Sequence, residues 1–269
     1  MKFHPSSRRL RIARGVLSVV GVAVVGLGIW GAAAAPPVGR SDGSPSAPSP
    51  SPTRAEPEDV TDLHLIGHAR TDKVVAHASP STHSEIIAKF DRLNDQGAPQ
   101  VFLLQPVYRD PDGSLPAGTR WVKALLPLRP NGTAGYLQVS DLDVFSTRYR
   151  IEIDRANFSL SLFEAEREIM SVPVGIGTGE TPTPVGSFYL ASLLKPPDPD
   201  TIYGTYAYGL SGYSETLLDW EDGGIIGLHG TNRPESIGRA ASHGCIRMSN
   251  EAIEKLVPLL PLGTPIDIV

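Results

Sequence analysis

The stretch His229–Arg247, which reads HGTNRPESIGRAASHGCIR, carries two histidines and the only cysteine of the chain, Cys245. Gly244 comes directly before Cys245, and a glycine at that point allows a sharp turn that presents the next side chain to solvent. A cysteine attacks as its thiolate, so this thiol needs a base within reach or surroundings that lower its pKa from about 8.5. The stretch therefore predicts a nucleophilic Cys–His site.

Two histidines compete for the role of the base. His243 lies two residues before Cys245, and in an extended segment the two side chains would share a face, although a turn at Gly244 could rotate one away. His229 follows the short apolar run Gly224–Leu228, which predicts a strand with the histidine at its end. We assign His229 as the base. The backbone N–H groups of His243, Gly244 and Cys245 could aim at one point, which predicts a donor cluster for an oxyanion.

The sequence around this stretch is typical of β structure. From about Arg148, apolar residues alternate with polar ones in three successive segments, which predicts a three-stranded meander. The Pro- and Gly-rich segment GTGETPTPVGSFYL should turn the chain into another strand. Ser249 or Asn250 can cap one short helix near the C-terminus, and a last strand begins at Pro265. The alternating residues are Tyr149, Ile151 and Ile153, then Phe158, Leu160 and Leu162, then Ile169, Val172 and Val174.

The part between about Leu63 and Val144 contains short apolar runs separated by turn signals, which predicts a small all-β unit. The tetrapeptide Arg129–Gly132 carries an Asn-Gly signal for a hairpin. The segment WVKALLPLRPNGTAGYLQVSDL resembles bacterial SH3-like barrels, which often accompany wall enzymes as binding or positioning modules. Four histidines have no paired ligand spacing, and we interpret them as solvated or structural: His64, His68, His77 and His83.

Composition limits the possible partners. The 269 residues carry a formal net charge of −5 and no dense Lys/Arg block beyond the first dozen or so residues, which argues against nucleic acid. With 25 Pro and 27 Gly, the chain favours turn-rich β structure over a helical bundle. A single cysteine in an exported protein cannot form an internal disulfide, so Cys245 is either buried and inert or kept for reactivity or for pairing between molecules.

The N-terminal segment has the character of an export signal or membrane anchor. Five Lys and Arg residues precede an uncharged run, Gly15–Ala35, that is long enough to span a bilayer. The clustered positive charge places the N-terminus inside and the rest of the chain outside. We therefore expect the protein in the cell envelope, outside the cytoplasmic membrane, either anchored by this helix or secreted after cleavage.

The order HGT, then IG, then SHGCIR matches the signature of the L,D-transpeptidase (YkuD) family, and the resemblance covers about Tyr149 to Val269. The segment TPTPVGSF similarly resembles the Thr-Pro-x-Gly segment of that family. The resemblance implies a β-rich catalytic domain with Cys245 as nucleophile, His229 as base, and no metal or organic cofactor. It also implies that the carbonyl of Gly230 orients the imidazole of His229.

The reaction implied by this resemblance is attack by Cys245 on the third residue of a peptidoglycan tetrapeptide stem. The terminal D-residue leaves, a thioester forms, and the amine of a second stem resolves it. Carbapenem-type inhibitors are expected partners of the same thiol. The segment Tyr203–Tyr213 would form a lid, although its tyrosines are equally compatible with packing. Four residues are expected to bind substrate: Arg247, Asn232, Ser242 and Tyr206. For Arg247 and Asn232, a role in bracing the motif stays open.

Three other functions stay open at this point. A carboxypeptidase would use the same site and pass the acyl group to water. The chain could also be a wall-binding module without activity, but the presence of Cys245 with both histidines would then be a coincidence. A zinc site built from His229, His243 and Cys245 would lack the usual ligand spacing.

These patterns predict a mainly β protein in four parts, and the resemblance implies a role in cell-wall organisation and cell shape. Residues 1–35 are the export signal or anchor, and the Pro- and Ser-rich residues 36–60 are a disordered linker. Residues 61–146 form the SH3-like domain. Residues 147–269 form the catalytic domain, with one short helix near the C-terminus.

Overall fold

The computed structural model describes residues 63–106, 108–218 and 223–269. The export segment and the linker, which the sequence predicts within 1–60, lie outside these ranges and stay predictions. No helix in the described ranges is long and apolar enough to cross a membrane.

The first sheet contains seven short strands, and every neighbouring pair in it is antiparallel. The strands are β1 (His64–Ala69), β2 (Lys73–His77), β3 (Ile86–Asp91), β4 (Val101–Leu104), β5 (Trp121–Leu125), β6 (Ala134–Gln138) and β7 (Leu142–Thr147). Their order is β3-β2-β6-β5-β4-β1-β7. Val74, Phe102 and Leu137 are fully buried and belong to one core cluster. The β-rich character of this part is confirmed, with β5 and β6 paired as a hairpin, while the likeness to SH3-like barrels stays a prediction.

The second sheet contains eight strands: β8 (Tyr149–Asp154), β9 (Ser159–Glu164), β10 (Arg167–Pro173), β12 (Gly186–Leu194), β13 (Ala207–Tyr213), β14 (Ile225–His229), β16 (Ile246–Arg247) and β17 (Pro265–Ile268). Their order is β10-β9-β8-β17-β12-β13-β14-β16, and β11 (Ile176–Gly177) pairs separately with β15 (Ala240–Ser242). The predicted meander is confirmed as β8, β9 and β10. Phe158 was assigned to a strand, but it lies in the turn before β9 with φ of 54°, a conformation that a strand does not accommodate.

The predicted short helix is confirmed as α1 (Asn250–Leu256), the one α-helix among the described residues. Its N-cap is Ser249, whose hydroxyl accepts a hydrogen bond from the N–H of Ala252 at 3.1 Å. Ile253 and Leu256 are fully buried in the core that β8 and β9 also line. Burial of two such side chains stabilises the helix by roughly 3–6 kcal/mol.

The two sheets also share a small hydrophobic cluster. Val101, Leu103 and Leu125 from the first sheet pack with Tyr189 from β12. The hydroxyl of Tyr189 donates a hydrogen bond to the backbone carbonyl of Val101 at 3.0 Å. The residues that the structure describes accordingly belong to one compact unit.

The edge of the second sheet positions the candidate site. β14 and β16 run parallel, with Leu228 beside Ile246 and His229 beside Arg247. Cys245 directly precedes β16, so this register brings it next to Gly227.

Candidate active site

His229 ends β14 and is 2% exposed. Its Nδ1 lies 2.5 Å from the carbonyl oxygen of Gly230. Because a carbonyl only accepts, Nδ1 is the donor, and in the neutral ring Nε2 is left as the acceptor. Burial lowers the pKa of His229 to about 4; the hydrogen bond to Gly230 opposes this shift, and the positive charge of Arg247 adds to it. The imidazole is therefore neutral at pH 7 and able to take a proton.

Cys245 lies beside this imidazole, with Gly227 between them. The N–H of Gly227 donates to the sulfur of Cys245 at 3.4 Å. A Cβ built on Gly227 would lie 3.6 Å from that sulfur and 3.3 Å from Cδ2 of His229. The thiol and the ring thus occupy the same face of β14, and the N–H donor favours a negative charge on sulfur.

The turn that carries the cysteine is held by two buried hydroxyl groups. Ser242 donates to the carbonyl of Cys245 at 2.6 Å and accepts the N–H of Gly244 at 3.1 Å. Thr183 donates to the carbonyl of Gly244 at 2.7 Å and accepts the N–H of Gly177 at 2.9 Å. Gly244 has φ of 116°, a conformation that favours glycine.

This turn alters two expectations from the sequence. Its hydrogen bonds place Ser242 in the bracing role rather than against a substrate. The N–H of Gly244 points to the Ser242 hydroxyl, because the turn closes on that side chain. It therefore does not belong to the predicted donor cluster for an oxyanion.

His243 and Arg247 lie on the other side of the cysteine turn. Both line a small cavity of about 80 Å³ that Cys245 and His229 also line. The side chain of His243 is exposed. Arg247 donates through Nη1 to the carbonyl of Ala241 at 3.4 Å, which fits a bracing role as well as a substrate role.

The predicted substrate residues Asn232 and Tyr206 are not brought against the thiol. Asn232 donates to the carbonyl of Asp200 at 2.8 Å and so braces a neighbouring loop. The ring of Tyr206 lies under the ammonium group of Lys195, 5.4 Å from it, and lines a separate cavity that contains neither Cys245 nor His229.

The predicted lid is wrong over most of its length. Residues 207–213 form β13, which is paired on both sides within the sheet, because their apolar side chains are mostly buried there. Tyr203, in the loop before β13, does reach the site, with its ring 5.2 Å from that of His229. Asn250 ties this loop to the segment after His229, since its side-chain oxygen accepts the N–H groups of Thr205 and Thr231 at 3.3 and 3.0 Å.

A second cavity, of about 310 Å³, opens on the thiol from the side of β12 and β13. Tyr203, Ile225, His229 and Cys245 line both cavities. The larger one is also lined by Gln96 and Ala98 from the loop between β3 and β4, and by Ser192, Gly209 and Gly227.

The three residues of the zinc alternative, His229, His243 and Cys245, do not form a set that could hold a metal ion. The same is true of every other group of three or more His, Cys, Asp or Glu side chains within the described ranges.

The family model for the YkuD L,D-transpeptidase catalytic domain matches residues 148–268. The YkuD protein of Bacillus subtilis (strain 168) is 31% identical over 151 residues, which cover 54% of this chain and 84% of that protein. The chain belongs to the L,D-transpeptidase (YkuD) family. The resemblance carried by the HGT and SHGCIR motifs is thereby confirmed.

Other relatives match over shorter spans. The YkuD protein of Bacillus licheniformis is 35% identical over 120 residues, which cover 45% of this chain and 65% of that protein. The solved structure of Bdellovibrio bacteriovorus Bd1075 is 32% identical and has a TM-score of 0.37. This match covers 46% of this chain and 47% of the Bd1075 chain.

Sequence reasoning missed four residues of this site: Gly227, Thr183, Asn250 and Gln96. Asn250 was considered only as a helix cap. Thr183 belongs to the quoted TPTPVGSF segment, so the signal was present, but a buried hydroxyl role does not follow from the pattern. For Gln96 the local sequence gives no signal, because its importance depends on a contact between two distant parts of the chain.

Proposed function

We propose that this member of the L,D-transpeptidase family cross-links peptidoglycan stems through a thioester on Cys245. The observation that supports this most directly is the placement of the Cys245 sulfur and the His229 imidazole on one face of Gly227. The Gly230 carbonyl fixes the tautomer in which Nε2 of His229 accepts a proton.

In the first half-reaction, Nε2 of His229 takes the proton of the thiol as the sulfur attacks the carbonyl of the third stem residue. The tetrahedral intermediate collapses with cleavage of the C–N bond, and the imidazolium returns the proton to the departing amine of the terminal D-residue. A thioester remains on Cys245. In the second half-reaction an amine of another stem attacks the thioester, His229 takes its proton, and the thiolate leaves and recovers that proton.

The low pKa of His229 affects the resting state of this pair. With a pKa of about 4, the ring is neutral at pH 7. The imidazole of the resting enzyme can therefore take the proton of the thiol. The Gly230 carbonyl stabilises the transient imidazolium in the role that a carboxylate has in other triads.

The proposal includes a place in the cell envelope, which rests on the sequence of residues 1–35 alone. It also includes carbapenem-type inhibitors as acylating partners, because a strained lactam carbonyl suits the same nucleophile.

The first test is the intact mass of the full-length protein after incubation with a carbapenem. We expect one covalent adduct in the wild type, none in Cys245→Ala, and no effect of a chelator. A wild type without an adduct would contradict the nucleophile and favour a wall-binding protein without activity.

The second test is product analysis with defined tetrapeptide stems. A cross-linked dimer, formed with release of one terminal D-residue per link, supports transpeptidation. Tripeptide without any dimer would instead assign the chain as an L,D-carboxypeptidase.

A further inference from the structure

The first sheet contributes a side chain to the catalytic cavity. The loop between β3 and β4 is anchored by Asn94, whose side-chain oxygen accepts the N–H groups of Gln96 and Ala98 at 3.1 and 3.0 Å. The amide nitrogen of Asn94 donates to the carbonyl of Ala191 on β12 at 3.3 Å. This docking places Gln96 and Ala98 in the wall of the cavity that contains Cys245.

The side chain of Gln96 is exposed, lines this cavity and contacts β12. The hydroxyl of Ser192 on β12 donates to its oxygen Oε1. Its nitrogen Nε2 makes no hydrogen bond with any of the described residues. Because Gln96 lines the cavity, its amide can offer a neutral N–H donor to a ligand there.

A strip without side chains separates this amide from the nucleophile. Gly209 and Gly227 are direct partners in the pairing of β13 with β14. A Cβ on Gly209 would lie 3.2 Å from Oε1 of Gln96, whereas a Cβ on Gly227 would lie 3.6 Å from the sulfur of Cys245. Since neighbouring strands are about 4.8 Å apart, the amide and the sulfur are at most about 12 Å apart across this glycine strip.

The chemistry of the lining indicates what the strip accommodates. None of the residues that line the cavity is Asp, Glu, Lys or Arg. A carboxylate would call for Arg or Lys, whereas a neutral amide donor suits a neutral carbonyl oxygen. A span of this length corresponds to roughly three residues of extended peptide.

We propose that Gln96 is a substrate-binding residue whose Nε2 donates to a peptide carbonyl of the donor stem as it lies across Gly209 and Gly227. This inference rests on the proposed function for its substrate class. It gives the first sheet a direct part in substrate recognition, and it makes specificity depend on both sheets.

The test measures affinity where no chemistry can occur. The full chain carrying Cys245→Ala is titrated with a tetrapeptide stem by calorimetry, alone and combined with Gln96→Glu, Gln96→Ala or Asp95→Ala. Glu at 96 can still accept the Ser192 hydroxyl, but it replaces the N–H donor by a carboxylate oxygen that repels a carbonyl. We expect Kd to rise about 10-fold for Gln96→Ala and at least as much for Gln96→Glu. Asp95→Ala, on the exposed neighbour, should leave Kd unchanged.

Two results would overturn the inference. An unchanged Kd in Gln96→Glu would show that Gln96 only docks the loop through Ser192. If the Cys245→Ala parent does not bind the stem at all, the glycine strip is not a binding site for it. Acylation of the wild-type thiol by a carbapenem is measured separately, so a failure of the nucleophile is distinguished from a failure of Gln96.

Discussion

Replacement of His229 by Asn tests whether this histidine is held neutral by burial. The folded chain keeps the pKa of His229 at about 4, whereas an ordinary histidine has 6.5. As the pH falls below 6.5, His229 is protonated in the unfolded chain, whereas in the folded chain it stays neutral until about pH 4. The unfolded state then binds more protons, so stability falls with falling pH throughout this window.

The expected magnitude follows from the difference between the two pKa values. A difference of about 2.5 pKa units at 1.36 kcal/mol per unit corresponds to about 3 kcal/mol of stability, present above pH 6.5 and lost by pH 4. Asn does not titrate, and its side-chain N–H can still donate to the Gly230 carbonyl where Nδ1 did. His229→Asn should therefore lack this loss.

The assay is urea unfolding of the full chain at pH 7, 6, 5 and 4. The free energy of unfolding of the wild type should fall between pH 7 and 4 by about 3 kcal/mol more than that of His229→Asn. His83→Asn serves as control, since this exposed imidazole meets water in both states. Parallel pH curves for the wild type and His229→Asn would refute the reasoning.

Three other substitutions probe the surroundings of the thiol. Thr183→Val leaves the Gly244 carbonyl and the Gly177 N–H without their partner. We therefore expect the free energy of unfolding, measured with urea, to fall by about 3 kcal/mol. A decrease below 1 kcal/mol would contradict the bracing role of Thr183. Gly227→Ala puts a methyl group 3.6 Å from the sulfur of Cys245. The chain should fold, but acylation of Cys245 by a stem peptide, followed by mass spectrometry over time, should slow about 100-fold. A rate within three-fold of the wild type would argue against the glycine strip as the path of the substrate. Arg129→Ala removes donors to the carbonyls of Ser214 and Gly223, and we expect about 2 kcal/mol lower stability, with Arg129→Lys recovering part of it. Equal stabilities for all three proteins would contradict a stabilising role of these hydrogen bonds.

The sequence was sufficient for the parts of the site that lie close together in the chain. Cys245 and His229 belong to one short stretch, and the apolar run before His229 already predicted a strand that ends at it. The structure places both on the face of Gly227. The meander and the helix near the C-terminus were predictable for a similar reason, because alternation and capping are local signals.

The errors arose where the outcome depends on neighbours distant in sequence. Tyr203–Tyr213 was considered a lid because it precedes His229, yet its buried apolar residues pair with β12 and β14. Tyr206 was placed at the substrate by the same reasoning, but it contacts Lys195 in a different cavity. Gln96 escaped notice because only the docking of the β3–β4 loop on Ala191 brings it near the thiol.

The cluster around Tyr189 has a practical consequence for anyone cloning a minimal enzyme. The match to the family model begins at residue 148, so an expression clone designed on it would delete Val101, Leu103 and Leu125. Tyr189 would then lose its apolar neighbours and the acceptor for its hydroxyl, and a hydrophobic patch would be exposed beside the catalytic strands. A domain boundary placed at the start of the family match thus divides a hydrophobic cluster of the protein. Poor solubility of such a fragment would result from the choice of boundary rather than from the enzyme.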